Sequence, residues 1–172
     1  MKNKTKWKVD ESHSEVGFKV KHMMISTVKG AFEDFNATVE TENEDFKNAN
    51  FSFTAKTDSI NTKNDDRDKH LKSEDFFNAA KHPELTFKSK SYDGDKVVGD
   101  LTIAGVTKEV KLDMDFNGVA VDPYDQTKAG FEISGKISRK DFGLTWNAVT
   151  EAGSIVVSDT INMAIDLQFI KQ

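Results

Sequence analysis

Cysteine is absent from the 172 residues, which removes disulfides, thiolate metal sites and cysteine nucleophiles together. No apolar run approaches the roughly 18 residues that a membrane span needs, so no transmembrane segment is expected. Proline occurs twice, at Pro83 and Pro123, and no Pro/Gly-rich linker or low-complexity stretch divides the chain. One domain over residues 1–172 is expected, long enough to bury a real core. Arginine is nearly missing as well. Arg67 and Arg139 stand alone, and lysine supplies every other fixed cation. The balance of 24 Lys+Arg against 29 Asp+Glu leaves a net charge of −5. That charge is mild and dispersed, which argues against a nucleic-acid partner. The basic start, Met1 to Lys6, has no apolar stretch behind it and does not read as a secretory signal. A cytoplasmic protein is expected, or a periplasmic one had a leader been removed.

Phenylalanine, by contrast, is abundant: 13 copies against two Trp and two Tyr. Many of these stand in period-two alternation with other apolar residues, the pattern of strands buried on one face. Val16, Phe18 and Val20 share a face, and Val28, Gly30 and Phe32 continue it. Phe35, Ala37 and Val39 then carry the pattern on odd positions, so a bulge near Glu33-Asp34 is expected to bend a long strand. Further runs begin at Phe51, Leu85, Val97, Val110, Phe131 and Ile161. Eight strand candidates result. Asp93-Gly94-Asp95 and Ala104-Gly105 join neighbours as hairpins. An all-β, eight-stranded antiparallel barrel hides eight one-sided strands, although two packed sheets would hide them too.

Between Asn61 and Pro83 the alternation fails. Asp65–Lys69 and Asp68–Lys72 have helical spacing, Leu71, Phe76 and Phe77 supply apolar material, and Pro83 stops the segment. One or two short helices are expected between the third and fourth strands, either plugging a barrel mouth or packed outside.

The candidate chemistry is sparse. His13, His22, His70 and His82 show no metal-ligand spacing, so no metal is expected. Asp141-Phe142-Gly143 copies a kinase triplet without the other kinase motifs, and Asn36-Ala37-Thr38 copies a glycosylation sequon inside a strand; both are discarded. Arg67 and Arg139 have acidic sequence neighbours (Asp66, Asp68 and Asp141) able to pair with a planar guanidinium, and are expected to be structural anchors. What remains is the Phe-rich inward face. It is either the packing of a filled barrel or the wall of an apolar cavity, and the residue pattern leaves both standing.

The order of motifs carries more. Trp7-x-Val9-Asp10-x-x-His13-Ser14-x-Val16-x-Phe18-x-Val20-x-His22 resembles the opening of the YceI-like family of polyisoprenoid-binding proteins. Arg67-Asp68-x-His70-Leu71-Lys72-Ser73-x-Asp75-Phe76-Phe77, Pro83-x-Leu85-Thr86-Phe87, Gly99-Asp100-Leu101-Thr102-Ile103 and Ser138-Arg139-Lys140-Asp141-Phe142-Gly143-Leu144 follow in the family's order. Two turn positions depart from it: Ala104, where a basic residue or His is common, and Asp125, where Gly is common.

The resemblance implies a lipocalin-like barrel, a homodimer, and no catalytic residue or cofactor. It also implies a lipid ligand, whether a polyisoprenoid, an isoprenoid quinone or a fatty-acyl chain, with transient membrane contact in its transport. The apolar tunnel would then be lined by Phe18, Val20, Phe32, Phe51, Phe53, Phe76, Phe87, Leu101 and Ile103. Leu112, Met114, Phe116, Phe131, Ile133, Phe142, Trp146, Met163 and Ile165 complete it. A polar mouth would hold His22, Arg67, His70 and Arg139. Two readings compete with simple lipid binding: an enzyme acting on a lipid head group through His22, Arg67 or His70, and a filled barrel serving as an interaction domain.

Overall fold

The computed structural model describes residues 4–23, 25–43, 45–145 and 157–172. Its strand segments are β1 (Thr5–Val9), β2 (Glu15–His22), β3 (Ser26–Phe32), β4 (Phe35–Thr41), β5 (Asn50–Lys56) and β6 (Ile60–Asn61). β7 (Glu84–Tyr92), β8 (Lys96–Ile103), β9 (Val106–Val121), β10 (Thr127–Ser138) and β11 (Val157–Lys171) follow. A single helix among the described residues, α1 (Asp65–Lys72), lies between β6 and β7.

Six of the segments are halves of three broken strands. β1 and β2 are interrupted by a 3₁₀ turn at Glu11–His13, and both pair antiparallel with β11. The next break comes at Glu33-Asp34: β3 pairs with β2, and β4 with β1. A second 3₁₀ turn, Thr57–Ser59, separates β5 from β6. Counting each broken strand once, eight antiparallel strands follow one another round the sheet, and β11 meeting β1 and β2 closes it. The result is a closed eight-stranded barrel, not two open sheets.

The expected bulge near Glu33-Asp34 is a full bend. The backbone there bonds sideways, with Glu33 N–H donating to Ser59 O at 3.2 Å and Lys56 N–H donating to Asp34 O at 2.9 Å. Inward phase passes from Phe32 to Phe35, both buried. Thr5–Val9 is a strand that no run above included; Trp7 and Val9 are buried on alternate positions. The two departures from the family pattern, Ala104 (φ 50°) and Asp125 (φ 67°), both hold left-handed turn backbone.

One end of the barrel is solid. Phe46, in the loop between β4 and β5, is fully buried and sends its ring into the barrel. Its centroid lies 5.2 Å from Trp7, 5.0 Å from Phe116 and 5.1 Å from Phe131. Phe131 in turn meets Phe51 at 5.5 Å and Phe169 at 5.7 Å. These tilted and edge-to-face contacts suit the ring quadrupoles. The Tyr92 hydroxyl, buried beside them, donates to Met114 O at 2.9 Å. Burial, with Asp115, Asp93 and Asp95 nearby, pushes its pKa up to about 12.

Candidate functional site: an apolar cavity opening beneath the helix

At the other end the wall leaves a cavity of about 500 Å³, within the roughly 300–1,000 Å³ range of small-molecule sites. The segment joining β6 to β7 overhangs its mouth. Asn64 caps α1 by accepting from Arg67 N–H at 2.9 Å. The buried carboxylate of Asp68 anchors the helix to the end of β6, accepting from Thr62 N–H at 2.8 Å and Thr62 Oγ1 at 2.5 Å. α1 thus holds Leu71 over the opening, and the turns after it bring in Phe76 and Phe77. Phe77 meets Phe32 edge-on at 5.7 Å, and His70 meets Phe76 at 5.1 Å. Of the two placements left standing for this segment, the structure has it at the mouth.

Most of the residues named for the tunnel stand on this wall. They are Phe18 and Val20 from β2, Phe32 from β3, Phe53 from β5 and Phe87 from β7. Leu101 and Ile103 come from β8, Leu112 from β9, Ile133 from β10, and Met163 and Ile165 from β11, with Phe76 from the overhang. Gly30 makes room for one of them: a Cβ there would lie 2.4 Å from the Phe18 ring. Phe51, Met114, Phe116 and Phe131 are not on the wall. They face inward, but at the solid end, where the Phe46 ring fills the space that a tunnel through the whole barrel would need. Phe142 is buried in the 3₁₀ turn Arg139–Phe142, also off the wall. Trp146 lies outside the described residues.

Wall residues not foreseen include Leu71 and Phe77 from the overhang, and Val16, Ile60, Leu85 and Leu167 from strands. Val16 carried a signal, the same alternation as Phe18. Nothing in the spacing of Leu71 and Phe77 marks a cavity rather than an ordinary helix face.

All four residues named for the polar mouth border the cavity. Arg139 is buried, at 3% exposure. It donates from Nη1 to Leu144 O at 2.6 Å, from Nε to Ser158 O at 3.0 Å and from Nη2 to Val157 O at 3.3 Å. Asp159, at 3.6 Å, is its carboxylate, rather than Asp141. Burial pulls the guanidinium pKa down and Asp159 opposes that, so the group stays charged. Arg67 does not pair with Asp66 or Asp68 either. It donates from Nε to Thr62 Oγ1 at 2.7 Å and from Nη2 to Thr62 O at 2.5 Å, and its Nη1 has no partner among the described residues. His70 Nε2 lies 2.9 Å from Asp75 Oδ2. The ring of His22 has no hydrogen-bond partner among the described residues. No group of three or more His, Asp or Glu side chains is placed there to hold a metal ion, again among the described residues.

Fold and cavity together define an antiparallel β-barrel, sealed at one end by aromatic packing, with an apolar interior reached from the other. Residues 7–169 match the YceI-like domain, and the chain belongs to that family. A UPF0312 protein of Staphylococcus aureus (strain bovine RF122 / ET3-1) is 40% identical over 166 residues, spanning 96% of this chain and 97% of that protein. The YCEI protein of Campylobacter jejuni superposes with a TM-score of 0.74 at 38% identity, over 95% of this chain and 96% of that one. A polyisoprenoid binding domain from Saccharophagus degradans shares the fold at a TM-score of 0.66 and 15% identity, over 96% and 98% of the two chains.

Proposed function

We propose that this protein binds and carries an isoprenoid, or a related lipid with a long apolar tail such as an isoprenoid quinone or a fatty acid, without converting it chemically. The observation that carries the reading is the cavity of about 500 Å³, walled by Phe, Leu, Ile, Val and Met side chains and open at one end. A filled barrel would leave no such space. That the S. degradans domain, a barrel of the same fold, is a polyisoprenoid binding domain supports the choice of ligand.

The energetics favour a tail. Each buried CH₂ contributes about 0.8 kcal/mol before ordering costs, so a chain binds tightly with few polar contacts. At about 30 Å³ per water-sized group, 500 Å³ holds on the order of 17 such groups. A tail of three to four isoprene units fills it, and a longer one extends through the mouth. Arg67, with Nη1 directed to no protein partner among the described residues, is the head-group donor in this reading.

Displacement of an environment-sensitive fluorescent fatty acid by prenols of increasing length tests it. Affinity is expected to rise with each unit up to about four and then level. Absence of saturable uptake, or equal affinity for the shortest and longest prenols, would contradict the proposal.

A further inference from the structure

On the outer face of the barrel the charges are sorted into ranks. Lys19 of β2 pairs across the sheet with Lys29 of β3 on one side and Asn162 of β11 on the other, and Asn162 pairs with Lys136 of β10. Lys111 of β9 joins Lys136 at a shallow depression in the same wall. Four residues further along each strand, towards the solid end, stand Glu15, Asp166, Glu132 and Asp115, directly paired from β2 through β11 and β10 to β9. At about 3.3 Å per residue the two ranks lie some 13 Å apart.

Like charges side by side across strands destabilise a sheet, and none of the eight charged side chains in these ranks makes an ion pair among the described residues. Other charges on the outer wall do pair: Lys96 of β8 with Asp113 at the same depression, and Lys90 with Asp100 at 3.3 Å and Glu109 at 3.0 Å. The unpaired cations lie on the mouth side: Lys19, Lys29 and Lys136 stand within three residues of the mouth-side ends of β2, β3 and β10. Beyond them, in the turn from β2 to β3, Ile25 is 81% exposed. Val20 and His22, just before that turn, are cavity wall.

We infer that the mouth end docks on an anionic lipid bilayer, with Ile25 entering the interface and Lys19, Lys29 and Lys136 meeting the head groups. An exposed apolar tip flanked by cations has the chemistry of an interfacial anchor. The acidic rank faces away from the membrane and turns a chain of net charge −5 mouth-down on a surface that repels its other end. The inference rests on the lipid-binding reading, since it sets the cavity mouth against the source or destination of the tail. A second copy setting acid against base is the competing occupant, and the oligomeric state in solution separates it from a bilayer.

Co-sedimentation of the full chain with vesicles tests the inference, comparing phosphatidylcholine alone with phosphatidylcholine containing about one-third phosphatidylglycerol. Binding at least ten-fold stronger to the anionic vesicles, weakened by added salt, is expected. Lys19→Glu/Lys29→Glu is expected to weaken it by on the order of ten-fold or more, and Ile25→Asp by several-fold, with thermal stability unchanged in both. Equal binding to both vesicle types, no binding to either, or full binding by both variants would overturn the inference. So would a dimer in solution that dissociates on Lys19→Glu, which would assign the ranks to a second copy. Prenol uptake from detergent-free solution is read in parallel. Uptake without vesicle binding overturns the docking alone, whereas absence of uptake overturns the lipid reading whatever the vesicles show.

Discussion

Arg139 shows why a lysine-rich chain keeps two arginines. Its fork serves carbonyl oxygens of Leu144, Ser158 and Val157, which approach from different directions. An ammonium on a flexible stem reaches one or two of them and leaves the rest buried without a donor, at about 1–3 kcal/mol. Arg139→Lys is therefore expected to lower the urea midpoint by a corresponding amount with no change in m, while the folded fraction still takes up prenols. Lost uptake at unchanged stability would move Arg139 from anchor to ligand contact. The partners of both arginines were hidden from sequence reading. Acidic neighbours such as Asp66 and Asp141 are visible in one dimension, whereas a backbone carbonyl brought in by a distant strand, or a threonine hydroxyl in the preceding turn, carries no charge pattern.

At the scale of elements, the junction of β1 and β2 couples to β10 through one carboxylate. Asp10 Oδ2 lies 2.8 Å from Lys128 Nζ and 2.8 Å from His13 Nδ1, and Asp10 Oδ1 accepts from Ser12 N–H at 3.2 Å. These contacts, Lys128 foremost, hold its pKa well below the usual carboxylate range. The folded value lies below the unfolded one, so this stabilisation is fully present above about pH 4 and is lost as pH falls through the folded value. Asp10→Asn should flatten the loss of stability below pH 4, measured by urea unfolding at a series of pH values; an unaltered acid limb would show that the contact contributes nothing.

The plug at the solid end offers a second element-scale prediction. Phe46→Ala removes the central ring of the aromatic cluster and should cost about 3–5 kcal/mol. A loss below 1 kcal/mol would mean that the loop does not seal the barrel. Strand phase was legible in the sequence because alternation tells inside from outside, and it carried through the bend at Glu33-Asp34. Height along the barrel axis was not legible. Phe131 and Ile133 share one phase on one strand, yet the first packs against Phe46 and the second lines the cavity. Phe46 itself sits in a loop without periodicity, so nothing in its neighbours announced a plug.

For the whole molecule, closure of the sheet and sealing of one end leave, among the described residues, an interior that opens beneath α1. If the proposed function holds, the capacity of the barrel should follow the size of the wall residues. Met163, at the middle of β11, faces Phe18 across the pairing with β2 and stands on the cavity wall. Met114 faces inward too, but at the packed end. Enlarging Met163 should therefore remove volume available to a tail, whereas enlarging Met114 should strain the core at about 1–3 kcal/mol without changing which ligand fits.

The most direct measurement is native mass spectrometry of the purified, detergent-free protein, followed by release and identification of whatever it retains. A non-covalent adduct with an apolar tail is expected, with Met163→Trp retaining a shorter tail or less of it and Met114→Trp retaining the same species. A chain of unadorned mass that also fails to take up added prenols, or an adduct unchanged by Met163→Trp, would contradict a ligand held in this cavity.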